Sequence, residues 1–133
     1  MAQKNDSSAA ALSRITLHLA RTKAYPNGSP DHGYEFVAPL DSTGHIDADA
    51  WHKVRDECRV TRFWGGQEQD LGHLVRKPGG SWAFHYDIAG SEDDEAGYRF
   101  QSHAFIEREY VSLKDQDGEL QPFVVAYVED LSA

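Results

Sequence analysis

From Ser13 onward the chain keeps a two-residue rhythm. Ile15, Leu17 and Leu19 share one face of an extended segment, while Arg14, Thr16 and His18 share the other. That is the pattern of a half-buried strand. Residues 26–30, Pro-Asn-Gly-Ser-Pro, interrupt it with a turn. Gly33 to Ala38 alternates again, with Tyr34 and Phe36 on one side and Glu35 and Val37 on the other, before the turn Asp41-Ser42-Thr43-Gly44. The rhythm changes once. Trp51, Val54 and Cys58 follow at helical spacing, Asp47 can cap the first turn, and Asp49 suits the positive end of the dipole. A short helix over residues 48–57 is predicted.

Strand signals then recur at even intervals. Cys58 to Trp64 is rich in β-branched and aromatic residues and ends at Gly65-Gly66. Residues 71–77 and 81–87 flank Pro78-Gly79-Gly80, a hairpin signal, and Trp82, Phe84 and Tyr86 form one apolar face. After an acidic loop closed by Gly97, alternation over residues 98–106 puts Tyr98, Phe100, Ala104 and Ile106 opposite Arg99, Gln101 and His103. Residues 109–114 and 119–128 make a last hairpin around Asp115-Gln116-Asp117-Gly118, in which Pro122 marks an edge or a bulge.

The order is ββαββββββ. Short strands joined by glycine turns, without alternating helices, predict a mainly β fold of about eight strands. It is an antiparallel β-barrel or a strongly bent sheet with one short helix, and closure is favoured because it removes exposed edges. Residues 1–12 read as a disordered leader and residues 13–133 as a single β-rich domain. The expected core contains Leu17, Tyr34, Phe36, Trp51, Val54, Val60, Trp82, Phe84, Phe100, Val111 and Val125.

Charge narrows the classes of partner. The 133 residues carry 13 Lys and Arg against 22 Asp and Glu, a formal charge of -9, and 12 of those acids lie in residues 87–133. A nucleic-acid partner is not expected, since phosphate neutralisation needs a basic footprint. A membrane span is not expected either, because no apolar run approaches roughly 18 residues. Cys58 is the only cysteine, so neither an intramolecular disulfide nor a multi-thiolate zinc cluster can form. With no secretory signal at the start, a cytoplasmic location is expected.

Three segments carry a resemblance: His32-Gly33-Tyr34-Glu35-Phe36-Val37-Ala38-Pro39-Leu40, Lys77-Pro78-Gly79-Gly80-Ser81-Trp82-Ala83-Phe84-His85-Tyr86-Asp87 and Asp94-Glu95-Ala96-Gly97-Tyr98-Arg99-Phe100. Together they resemble a family of small uncharacterised bacterial proteins with no assigned activity, and the likeness spans most of residues 13–128. The resemblance implies no catalytic residue. The stretch Glu109-Tyr110-Val111-Ser112-Leu113, with Asp117-Gly118 and Phe123-Val124-Val125, is similar to the closing hairpin of many small β-barrels.

Seven histidines are the most suggestive chemistry: His18, His32, His45, His52, His73, His85 and His103. A three-residue loop at Pro78-Gly79-Gly80 sets His73 directly opposite His85, with Cβ atoms about 4.5–5.5 Å apart. A loop of two or four residues sends the two imidazoles to opposite faces. If they pair, His73, His85 and His103, with a carboxylate from Asp87 or Glu35, meet the three-ligand logic of a catalytic zinc. The plainer reading is of histidines on the polar face of a sheet, because no tight ligand spacing such as HExxH is present.

The other patterns have plain readings as well. The Trp82, Phe84 and Tyr86 stripe, with Tyr98 and Phe100 beside it, can stack bases but reads as core. Asp115 to Glu119 lacks the later positions of a calcium loop and reads as a hairpin turn. The run Glu92 to Glu95 reads as a solvated loop, or as one that meets a basic partner or orders around Arg99 or Arg108. Cys58 continues the Trp51 and Val54 stripe and reads as a buried, inert thiol rather than a nucleophile served by His52.

Two functions follow as expectations. The first is a non-catalytic small β-barrel that binds a protein or a small-molecule ligand, with a homodimer open to it and no cofactor. His73, His85, Arg99 and His103 are its candidate ligand-binding residues. The second is a small metal- or histidine-dependent enzyme using His73, His85 and His103, with Asp87 as a further metal ligand.

Overall fold

The first alternating segment is β1 (Ala11–Leu19), with Ile15, Leu17 and Leu19 buried. It starts at Ala11, so the last two residues of the expected leader are strand. The computed structural model describes residues 11–87, 94–114 and 118–131, with the backbone alone for residues 68 and 69. The rest of the expected leader therefore lies outside the described residues, as do Glu92, Asp93 and the Asp115 to Asp117 turn.

β2 (Ser29–Leu40) follows, then α1 (Ala48–Val54) with a 3-10 turn at Arg55–Glu57, then β3 (Arg59–Trp64), β4 (Gln67–Arg76) and β5 (Trp82–Tyr86). β6 (Glu95–Tyr98), β7 (Tyr110–Lys114) and β8 (Leu120–Asp130) complete the order. Each strand pairs antiparallel with the next and β8 returns to β1, closing an eight-stranded barrel. Side chains of alternate parity fill its interior, including Leu17, Tyr34, Phe36, Val60, Phe84, Val111 and Val125. Apolar inside and polar outside is the reverse of a lipid-facing barrel. Among the described residues, no helix is long and apolar enough to cross a membrane.

The chain runs up and down, so the barrel has two distinct ends. At one end sit α1 and the segment after β6. Asp47 Oδ1 accepts from the Ala50 amide at 3.0 Å, which satisfies a free first-turn donor. Seven helical residues are too few to stand alone, and Trp51 supplies the anchorage. Its ring meets Trp82 edge-on at 5.3 Å, and its Nε1 donates to the Leu74 carbonyl at 3.0 Å. Val54, expected in the core, packs against it only partly buried.

The same end corrects one expected strand. β6 stops at Tyr98, and residues 99–102 turn instead of continuing to residue 106. Arg99 adopts a φ of 55°, and the Phe100 ring folds back over Gly97, where an added Cβ would lie 2.4 Å from it. Phe100 thereby fills the interior space that Gly97 leaves, stacking among Phe36, Phe84 and Phe105. Tyr98 and Ile106, expected to share the face of Phe100, are exposed.

Pro122 sits beyond the last β1–β8 pair, Leu19 with Phe123, so no donor is asked of it there. The bulge in β8 falls at Ala126, between the pairs Thr16 with Tyr127 and Leu17 with Val125.

Candidate functional site

At the opposite end no helix covers the barrel. Inward positions of β1, β2, β3, β6, β7 and β8, with residues 22–25 of the β1–β2 connection, surround a cavity of about 230 Å³. Leu19, Leu113, Phe123 and Trp64 form its apolar walls, and Tyr34, Arg62 and Glu95 give it a polar floor.

The strand register places these groups. Tyr34 pairs across the ladder with Arg62, and Glu95 with Phe84, all at inward parity. Glu95 is only 2% exposed. Burying a carboxylate is costly unless donors surround it. Here the Tyr34 hydroxyl donates to Glu95 Oε1 at 2.9 Å and the Tyr86 hydroxyl donates to the same oxygen at 2.6 Å. Arg62 Nε stands 3.9 Å from Glu95 Oε2, and Arg62 Nη1 stands 3.8 Å from Asp70 Oδ2. The guanidinium lies 4.4 Å over the Trp64 ring, which fixes its plane.

Burial pushes both phenols well above the ordinary tyrosine range, and the Glu95 charge adds to it. Both hydroxyls therefore stay protonated and keep donating. At the rim, Tyr25 and His32 share a hydrogen bond of 3.2 Å, Ser29 Oγ lies 2.7 Å from His32 Nδ1, and the His32 ring meets Trp64 at 4.6 Å. The mouth thus has an aromatic, mutually braced wall above a hydrogen-bonding floor.

The histidine pair lies elsewhere. The Lys77 amide donates to the Ser81 carbonyl at 2.8 Å, the loop has three residues, and His73 stands directly opposite His85. Both project from the outer face of the barrel. His85 Nδ1 is 2.7 Å from Asp94 Oδ1. A carboxylate oxygen only accepts, so that nitrogen carries the proton. His73 Nδ1 is 3.3 Å from Asp87 Oδ1, with Arg59 closing on the same carboxylate at 3.6 Å. A shallow groove of about 370 Å³ runs from this pair past Val75 and Arg76 to Trp51 and Arg55.

Arg99 and His103 do not join it. β5 and β6 pair Phe84 with Glu95 and Trp82 with Gly97, so His85 continues towards the open end while Arg99 and His103 lie beyond Tyr98 at the closed end. The expected sharing of a face fails because residues 99–102 turn around Phe100. Arg99 lies over the Tyr98 ring at 5.2 Å, and the His103 amide donates to the Arg99 carbonyl. Glu35 is on the outer wall with Arg14. Among the described residues no group of three or more His, Cys, Asp or Glu side chains is arranged to hold a metal ion.

The run of acids is corrected in part. Asp94 holds His85 and Lys77, and Glu95 is inside the barrel rather than in a solvated loop. Cys58 is buried, its thiol donates to the Val54 carbonyl, and burial pushes its pKa up to about 12.

Sequence reasoning passed over Arg62 and Glu95. A signal existed for the first, because Arg62 shares inward parity with Val60 and Trp64. Compared with models of known families, with curated proteins and with solved structures, the chain matches none.

Proposed function

We propose that the protein is a non-catalytic binding module that takes a small organic molecule into the open mouth of its barrel. The observation that carries this reading is the mouth itself. A cavity of about 230 Å³ with apolar walls converges on a buried carboxylate, a guanidinium and a phenol. An enclosed apolar pocket with a few convergent polar groups, set in the mouth of a barrel, is the ordinary form of a small-molecule site. The outer histidine pair supports an enzyme less well, since its proposed third ligand, His103, belongs to the other end. The single, buried Cys58 suits a reducing, cytoplasmic setting.

Amide NMR of the labelled protein against a panel of small organic fragments tests the reading. Binders are expected to shift the amides of Leu19, Tyr34, Leu113 and Phe123. Leu113→Trp, which fills the mouth, is expected to abolish those shifts while the fold is retained. Shifts confined to His73, His85 and their neighbours would overturn it.

A further inference from the structure

The floor of the mouth has a chemical polarity that selects among ligands, and this inference rests on the binding reading above. Arg62 Nε and Glu95 Oε2 are 3.9 Å apart, beyond the reach of a direct hydrogen bond between those two atoms. They stand side by side as a donor and an acceptor. Glu95 Oε1 already accepts from Tyr34 and Tyr86, so Oε2 is the oxygen that faces the guanidinium.

The two groups together are neutral. An anionic ligand approaching Arg62 meets Glu95, with Asp70 also 3.8 Å from the guanidinium, and a cationic ligand approaching Glu95 meets Arg62. A neutral ligand pays neither repulsion. The partner that matches an adjacent donor and acceptor is a ligand edge with its own acceptor and donor adjacent, and a cyclic amide has that edge. Hydrogen bonds to charged groups are the stronger kind, so the match is also selective.

Size and shape agree. An engineered apolar cavity of about 150 Å³ accommodates benzene; about 230 Å³ therefore suits one ring with a small substituent or two. Tyr25, Tyr34, Trp64 and Phe123 bring ring faces and edges to the walls, which favours a planar ligand. We infer that the mouth recognises a neutral, planar, lactam-edged heterocycle, its carbonyl accepting from Arg62 and its ring N–H donating to Glu95.

The test uses the whole chain and five probes of one ring each: 2-pyridone, N-methyl-2-pyridone, benzoate, benzylammonium and toluene. Affinities are read from the mouth amides by NMR titration. 2-Pyridone is expected to bind tightest, and N-methyl-2-pyridone, which lacks the donor, about tenfold or more weaker. Arg62→Leu is expected to weaken 2-pyridone by a similar factor while leaving toluene unchanged, which also shows that the variant mouth is intact. Glu95→Gln, where it folds, is expected to do the same.

Equal binding of the two pyridones, tighter binding of benzoate or benzylammonium, or unchanged 2-pyridone affinity in Arg62→Leu would overturn the inference while leaving the binding module standing. No shift of the mouth amides by any probe would overturn both.

Discussion

The two ends of this barrel obey one parity rule and come out differently. At the closed end, the inward positions meet side chains delivered from outside the strands: Trp51 from α1, and Phe100 and Phe105 from the segment after β6. At the open end the connections bring Tyr25 and Thr22 only to the rim, and inward positions carry Arg62 and Glu95. Apolar plugging at one end provides the packing that lets the other keep a charged interior. Stability and recognition are thus separated along the barrel axis.

The sharpest way to break that contrast is to remove the plug. Phe100→Ala empties a fully buried ring and is expected to cost about 3–5 kcal/mol in urea unfolding. A loss below about 1 kcal/mol would show that the closed end is not the stabilising one.

Next comes the polar floor. Tyr86→Phe removes a hydrogen bond to a buried carboxylate, expected to cost about 1.5–3 kcal/mol by the same assay. The same phenols set an alkaline limit. In the unfolded chain they ionise near their ordinary value of 10.0, whereas burial raises both in the folded state. Their contribution is whole below pH 10 and is lost as the pH rises beyond it. A Tyr34→Phe, Tyr86→Phe double variant should show a flatter decline there.

Asp47→Ala, which uncaps α1, is expected to cost about 1 kcal/mol and to leave the mouth amides unshifted in NMR. Shifts in the mouth would show that the two ends are coupled.

The smallest effect belongs to the wall between them. His18 stands edge-on to Phe63 and Tyr127, and partial burial holds its pKa below the ordinary 6.5. The folded state favours the neutral ring, so stability present above pH 6.5 falls as the pH drops through the folded value. His18→Phe should flatten that acid slope, measured as Tm between pH 7 and 5. An unchanged slope would put its origin elsewhere.

Much of the architecture was legible in residue order. Period-two alternation marks the strands, Asp47 and Trp51 mark the helix, and a three-residue hairpin was among the registers open for His73 and His85. The site was less legible because its contacts are long-range. Glu95 sits in a run of acids that reads as solvated, and what buries it includes Tyr34, 61 positions away. Phe100 misled for a related reason. Its alternation with Tyr98 is regular, but the empty space above Gly97 bends the chain inward.

Because β8 is the strand that seals β1, its ladder joins Ser13 to Asp130 and Leu19 to Phe123. During synthesis the free edge of the first strand therefore waits for nearly the last residues described before it finds its neighbour. Such distant pairings make for slow folding and expose an adhesive edge meanwhile. A nascent chain halted before Leu120 would carry that edge open, a ready target for aggregation or for a chaperone.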